Sequence, residues 1–222
     1  MIILLVGEKG SGKTTTAMNL ARRLIQAGIQ VGGVICPGIF EQNRKVGMKN
    51  HYPGTGYEEI SGWEISLAGI PVPKPTGPET FSYGRWEFSR SALASADAVI
   101  IEDIEACPLV FVDEIGPLEL DHGLGLCRTL ARLDDEQDGN TCIKLVCGRQ
   151  DLAQTLAKRW PAARLVQLPM GEQAFIDRAE ETILTVVIAE MATTGCRMKI
   201  NPDLATVGFT SSSPSAPDDA QT

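Results

Sequence analysis

Short apolar runs alternate with longer amphipathic stretches along most of this chain. The first run, Ile2 to Val6, is rich in branched residues and has no polar position, which is typical of a strand covered on both faces in a parallel sheet. Apolar residues at helical spacing then predict a helix from about Lys13 to Ala27, and Gln30 to Cys36 is predicted to be a second strand. Strand, helix and strand together form the βαβ unit of parallel sheets.

Two apolar runs that end in acidic residues compete for the next core strand. They are Ala98–Asp103 and Leu109–Glu114, and only five residues separate them. A crossover between parallel strands needs about a dozen residues, so both runs cannot be core strands of one parallel sheet. Apolar residues at helical spacing around the first run favour a helix over roughly Ser89–Ala106, which leaves Leu109–Asp113 as the strand.

The alternation continues to the end of the predicted domain, apart from one irregular segment. The pattern predicts a helix over Gly125–Asp134, a strand over Cys142–Cys147, a helix over Leu152–Trp160, a strand over Arg164–Leu168 and a helix over Gln173–Met191. Between about Pro37 and Phe88, Gly and Pro interrupt the pattern and predict an insertion of hairpins and exposed loops. This order favours a three-layer α/β fold with a mostly parallel central sheet.

The length of 222 residues fits one domain with insertions better than two domains. We predict that this domain covers residues 1–195 and contains the insertion at about 37–88. Beyond Asn201 the composition turns to Ser, Pro, Ala and Asp, so residues 196–222 are predicted to form a disordered tail.

The charge balance and the apolar content argue against several classes of partner. A formal net charge of −8 offers no global positive field to a nucleic-acid backbone, so nucleic acid is not expected as a partner. No apolar run reaches the roughly 18 residues that suggest a membrane span, and the apolar start lacks the basic region of a signal peptide. Six scattered cysteines without a CxxC pair are typical of reduced thiols. We therefore expect a cytoplasmic protein, and no sequence feature identifies a protein partner.

A phosphate-binding motif connects the first predicted strand to the first predicted helix. Residues 7–14, Gly-Glu-Lys-Gly-Ser-Gly-Lys-Thr, match G-x4-G-K-[ST] at every fixed position. Glycines let the main chain wrap around phosphate oxygens, while its N–H groups and the helix N-terminus attract the anion. We expect Lys13 to bridge the terminal phosphates of a nucleoside triphosphate, Thr14 to ligate magnesium and Thr15 to contact the inner phosphate. The predicted nucleotide-binding residues are Gly7, Glu8, Lys9, Gly10, Ser11, Gly12, Lys13, Thr14 and Thr15.

A carboxylate at the end of a neighbouring strand is expected to complete the magnesium site, because the phosphate loop supplies only part of it. Asp113 ends the predicted strand and is assigned to the metal, through water. Glu114 follows it and is assigned to orient and polarise the attacking water. The rival hypothesis places the metal at Glu102 and Asp103, which are otherwise charges on a helix face.

A cation near the γ-phosphate would stabilise the charge that spreads over the transition state. Arg149 follows a predicted strand and is the first candidate, ahead of Arg44 and Arg85; the alternative for each is a solvated surface position. The predicted catalytic residues are therefore Glu114, Lys13 and Arg149. Four aromatic residues could either stack on a ligand or pack the insertion: Tyr57, Trp63, Tyr83 and Trp86.

The segment Val112–Leu120, Val-Asp-Glu-Ile-Gly-Pro-Leu-Glu-Leu, resembles the signature D-E-I-G-x-[ML]-E of a small nucleoside-triphosphatase family. This family was first described in thermophiles and also has a human cancer-related member. Weaker similarities are Arg44–Met48, which is similar to the family's basic turn, and Gly84–Trp86. The resemblance covers roughly Met1–Met191, and the proline-rich loop between Tyr52 and Thr80 departs from the family pattern.

The resemblance implies magnesium-dependent hydrolysis of nucleoside triphosphates, with broad base tolerance, on a RecA-like P-loop core. By motif position it assigns Lys13, Thr14, Asp113 and Glu114 to the site, and it adds Arg44 as an active-site cation. The absence of an Asn-Lys-x-Asp element gives no support to guanine selectivity. Two alternatives use the same phosphate chemistry: a small-molecule or nucleotide kinase whose insertion binds the acceptor, and a nucleotide-dependent switch or adaptor.

Overall fold

The computed structural model describes residues 1–65, 79–135, 141–171 and 173–193. In chain order the strands are β1 (Ile2–Gly7), β2 (Val31–Val34), β3 (Gly38–Glu41), β4 (Arg44–Tyr52), β5 (Tyr57–Glu64), β6 (Thr80–Tyr83), β7 (Trp86–Ser89), β8 (Leu109–Ile115), β9 (Ile143–Arg149) and β10 (Arg164–Leu168). The helices are α1 (Lys13–Gln26), α2 (Arg90–Ala106), α3 (Pro117–Leu120), α4 (Cys127–Asp134), α5 (Ala153–Arg159) and α6 (Gln173–Thr193).

A parallel five-stranded sheet forms the centre of the fold, in the order β10-β1-β9-β8-β2. Successive residues of β1 enter opposite layers, as strand geometry requires. Ile3 and Leu5 pack in the apolar layer that contains α1 and α6. Ile2 and Leu4 pack in the layer that contains α2, α4 and α5. The predicted three-layer α/β architecture with a parallel central sheet is therefore confirmed.

The insertion folds as a second sheet, which is antiparallel and has the order β3-β4-β5-β7-β6. Gln42 and Asn43 connect β3 to β4 with φ values of 48° and 63°, the left-handed conformation that tight hairpin turns require. The predicted hairpins are confirmed, and in the described part they join into one sheet. Val46, Trp63 and Phe88 are buried in this sheet, because each hairpin packs one apolar face inward.

The helix predicted at Ser89–Ala106 is confirmed as α2, and the Ser89 hydroxyl accepts a hydrogen bond from the Ala92 amide at 3.2 Å as its N-cap. Strand β8 is also confirmed, although it continues to Ile115. The helix predicted from Gly125 begins two residues later, at Cys127. The short helix α3 was not predicted.

Two predicted features lie outside the described residues: the proline-rich loop with Pro71, Pro73, Pro75 and Pro78, and the tail at 196–222. The extent of the domain, 1–195, stays a prediction. Among the helices that the structure describes, none combines the length and the apolar composition needed to cross a bilayer.

Candidate active site

The loop between β1 and α1 is wound so tightly that two positions require glycine. A Cβ atom on Gly7 would lie 2.6 Å from the carbonyl oxygen of Leu168. Gly12 has a φ of +98°, and a Cβ there would lie 2.6 Å from Cδ1 of Ile176. The loop therefore presents main-chain groups, rather than side chains, at the carboxyl end of the sheet, beside the N-terminus of α1.

Lys13 lies across this loop and closes it. Its Nζ donates hydrogen bonds to the carbonyl oxygens of Gly7 at 2.8 Å and of Glu8 at 3.0 Å, and the residue is only 7% exposed. The ammonium group is thus fixed at the point where a polyphosphate chain would meet the loop.

Asp113 joins the loop from a strand that is not its neighbour. The Thr14 hydroxyl donates to Oδ2 of Asp113 at 2.9 Å, and the Cys36 amide donates to the same oxygen at 3.0 Å. Asp113 is buried, and desolvation raises its carboxyl pKa, while these two hydrogen bonds lower it. The structure thus brings together two residues that lie 99 positions apart in the chain.

Glu114 is exposed to the cleft although its neighbour is buried. The pairing of β8 with β9 shifts register between Val112 and Ile115, so the two acids occupy an irregular part of the strand. Desolvation by the surrounding walls raises the pKa of Glu114, and the charge of Asp113 raises it further. Lys13 is among the cations that lower this pKa, so the acidic pair and the phosphate loop lie within electrostatic reach of each other.

A cleft of about 420 Å³ contains both the loop and the acidic pair. One wall is the carboxyl edge of the parallel sheet, and the other wall belongs to the antiparallel sheet and α2. The residues from the antiparallel sheet include Lys45, Met48, Asn50, Tyr83, Trp86 and Phe88. Of the four aromatic candidates, Tyr83 and Trp86 line the cleft, while Trp63 is buried in the sheet and Tyr57 lies elsewhere.

A second cavity of about 580 Å³ contains none of the phosphate-loop residues. Asp103 lines it, and Oδ2 of Asp103 accepts a hydrogen bond from the Gly33 amide at 2.7 Å. Both Asp103 and Glu102 lie on α2 and not in the cleft that contains Lys13. The rival hypothesis, a metal site at this pair beside the phosphate loop, is therefore wrong.

The three predicted arginines are bound to carboxylates. Arg149 ends β9 and lines the cleft, but its guanidinium donates to both oxygens of Asp151, at 3.1 and 2.8 Å. Arg44 and Arg85 both approach Oε1 of the buried Glu64, at 3.0 and 3.5 Å. The expectation that Arg44 is a cation of the cleft is therefore wrong.

The cation that sequence reasoning missed is Lys45, which follows Arg44 on β4 and lines the cleft. Consecutive strand residues point to opposite faces, so once Arg44 pairs with Glu64 its neighbour faces the acidic pair. Alternation along this strand was the available signal. Using it required knowing which face of the insertion meets the central sheet.

The Glu119 carboxylate holds the turn that follows the acidic end of β8. Its Oε2 accepts a hydrogen bond from the Gly116 amide at 2.9 Å, and its Oε1 accepts one from the Leu126 amide at 3.2 Å. The first bond closes the turn that leads out of β8 into α3. Glu119 therefore stabilises the segment directly after the catalytic candidates.

We expect the stability contribution of Glu119 to depend on pH. Burial raises its pKa from 4.5 to about 7, so between these values the folded chain binds a proton that the unfolded chain has lost. Glu119 contributes fully to the unfolding free energy below about pH 4.5. This contribution falls as the pH rises towards 7, by a total on the order of 3 kcal/mol. The difference in unfolding free energy between wild type and Glu119→Gln should therefore shrink across this window in urea titrations. If the difference in unfolding free energy did not change with pH, the raised pKa of Glu119 would be contradicted.

Comparison with known proteins identifies the family of this chain. A family model described as NTPase matches residues 2–124. The nucleoside-triphosphatase THEP1 of Methanopyrus kandleri is 31% identical over 120 residues, which are 53% of this chain and 59% of that protein. The nucleoside-triphosphatase THEP1 of Thermofilum pendens is 30% identical over 134 residues, 60% of this chain and 68% of that protein. The chain thus spans 59% and 68% of the length of these curated relatives.

The fold has a solved counterpart. The crystal structure of THEP1 from Aquifex aeolicus matches with a TM-score of 0.55 at 19% identity, over 84% of this chain and 99% of that chain. At this identity the match concerns the fold, which supports the RecA-like P-loop architecture. Since the family model covers more than half of the 222 residues, the chain belongs to the NTPase family, as the resemblance of Val112–Leu120 predicted.

Proposed function

We propose that this protein hydrolyses nucleoside triphosphates to nucleoside diphosphate and inorganic phosphate, with Mg²⁺ as cofactor. The observation that carries the proposal is the 2.9 Å contact between the Thr14 hydroxyl and Asp113, because it joins the phosphate loop to the acidic strand end. Membership of the NTPase family supports it. The relatives named above carry the name nucleoside-triphosphatase.

The donor set at this contact suits magnesium. The Thr14 hydroxyl and the Asp113 carboxylate are hard oxygen ligands, and Mg²⁺ commonly takes its remaining ligands from water and substrate phosphates. Across the described ranges, no group of three or more His, Cys, Asp or Glu side chains forms a cluster that could hold a metal ion. When bound, the metal would neutralise charge on the β- and γ-phosphates.

The protein side chains would then divide the reaction between them. Lys13 would bind oxygens of the terminal phosphates. Glu114 would accept a proton from the water as the water oxygen bonds to the γ-phosphorus, and the raised pKa makes its carboxylate a stronger base. The bond from the γ-phosphorus to the bridging oxygen breaks, and its electron pair leaves with the diphosphate.

We expect wild-type protein to release phosphate from several nucleoside triphosphates only when Mg²⁺ is present. The Asp113→Asn variant should require a higher Mg²⁺ concentration for half-maximal rate, by roughly tenfold or more, because it loses a charged metal contact. Continuous phosphate release across a panel of four triphosphates, titrated with Mg²⁺, measures both effects. Asp177→Asn, which changes an exposed acid on α6 outside the cleft, is the matched control. Release from none of the triphosphates would reject the proposal.

A phosphotransferase is a second candidate, and one observation favours it. The cleft continues beyond Glu114 to a wall that contains Tyr83, Trp86 and Phe88, and such a wall could hold an acceptor hydroxyl compound beside the same carboxylate. Incubation with γ-labelled triphosphate separates the two functions. Label found in inorganic phosphate supports hydrolysis, whereas label found in an added nucleoside supports transfer.

A further inference from the structure

We infer that Lys45 is a catalytic cation that binds the γ-phosphate from the side opposite Lys13 and stabilises the charge that develops during its transfer to water. This inference rests on the proposed function and deepens it. The antiparallel sheet would then contribute a catalytic group, rather than only a wall of the cleft.

The position of Lys45 supports this role. It lies on the face of β4 that lines the cleft, and Asp113, Glu114 and Cys36 act on its charge. Its Nζ lies 5.7 Å from the centroid of the Trp86 ring, close enough for a cation–π contact. The ammonium group thus lies beside the Trp86 ring and within electrostatic reach of the acidic strand end.

Among the described residues, Lys45 also lacks the close carboxylate partner that Arg149 and Arg44 have. Among the described residues, no Asp or Glu oxygen lies within 4.0 Å of its Nζ, whereas Lys49 on the same strand forms an ion pair with Glu58. Arg149 and Arg44 each have a carboxylate within 3.0 Å. The ammonium group of Lys45 is therefore available to an anion that enters the cleft.

The electrostatics of this arrangement favour an incoming phosphate. Desolvation lowers the pKa of Lys45, and the nearby Asp113 and Glu114 only partly oppose this effect. A partly desolvated ammonium group without an ion pair raises the free energy of the ligand-free protein. A γ-phosphate between Lys13 and Lys45 would relieve this cost, and the benefit grows as negative charge accumulates on the phosphate oxygens in the transition state.

The test compares Lys45→Met, which keeps the aliphatic stem, with Lys45→Arg and with Lys49→Met as the matched control on β4. Lys45→Met should lower kcat by roughly 10²-fold, while Lys45→Arg should recover a large part of this loss. Affinity should fall for a non-hydrolysable triphosphate analogue, but stay within about twofold for the diphosphate, because only the triphosphate has a γ-phosphate. Lys49→Met should match wild type in both measurements.

Several results would overturn the inference. A Lys45→Met protein that turns over as fast as wild type would do so, as would an equal loss of affinity for triphosphate and diphosphate. Thermal unfolding of each variant checks that it is folded. If Lys45→Met folds poorly, Lys45→Gln serves as a second neutral variant. If wild type releases no phosphate, the proposed function fails, and the difference between triphosphate and diphosphate affinity still decides the role of Lys45.

Discussion

Replacing Glu114 with Gln should lower the rate of phosphate release by roughly 10²- to 10⁴-fold while leaving nucleotide affinity nearly unchanged. The amide has the shape of the carboxylate but cannot accept a proton from water. Glu114 makes none of the hydrogen bonds that shape the phosphate loop, which come from Lys13, Gly7 and Glu8. Loss of a negative charge beside the phosphates should, if anything, strengthen binding.

Two measurements check this prediction. Single-turnover hydrolysis measures the chemical step, and titration with a fluorescent triphosphate analogue measures binding. The matched control is Glu102→Gln, since Glu102 is exposed on α2 and lies outside the cleft. Full activity in the Glu114→Gln protein would show that another group activates the water.

Replacing Lys13 with Ala should strongly weaken nucleotide binding as well as stop turnover. The Lys13 ammonium group is held at the loop by hydrogen bonds of 2.8 and 3.0 Å to the carbonyl oxygens of Gly7 and Glu8. Charge-assisted hydrogen bonds contribute about 1.5–3 kcal/mol each, so two lost contacts to phosphate should reduce triphosphate affinity by roughly 10²-fold or more. Phosphate release should fall to the background rate at any practical nucleotide concentration.

Isothermal titration with a non-hydrolysable triphosphate checks this result. Lys158→Ala, an exposed lysine on α5, should bind like wild type. Circular dichroism spectra should be the same for both variants, because Lys13 contributes its charge to the loop and not to the apolar core. Wild-type affinity in Lys13→Ala would mean that the nucleotide binds elsewhere.

The phosphate loop and its acidic partner could be predicted because both signals are local. Residues 7–14 follow an apolar strand and precede a helix, and Asp113 follows a second apolar strand. Parallel strands place their carboxyl ends at one edge of a sheet, so knowledge of the sheet was sufficient to expect Thr14 and Asp113 at one site.

The cations of the site could not be predicted in the same way. Arg149 was expected from its position after a strand, and it does line the cleft, but Asp151 binds its guanidinium. Lys45 was missed in favour of Arg44, because the choice between neighbouring strand residues depends on which face of the insertion packs inward. That face is set by long-range packing of Val46, Trp63 and other buried residues, and the sequence pattern of the insertion did not reveal it.

The register shift in β8 makes it possible to alter the functions of Asp113 and Glu114 independently. Between Val112 and Ile115 the strand leaves regular pairing with β9, and Asp113 is buried while Glu114 faces the cleft. In an undistorted strand, adjacent side chains would diverge to opposite layers, and one of the two would be lost to the site. Because of this irregularity, one short peptide segment supplies both a buried, hydrogen-bonded carboxylate and one that a ligand in the cleft can reach. A substitution at one of the two acids can therefore change metal affinity or water activation separately.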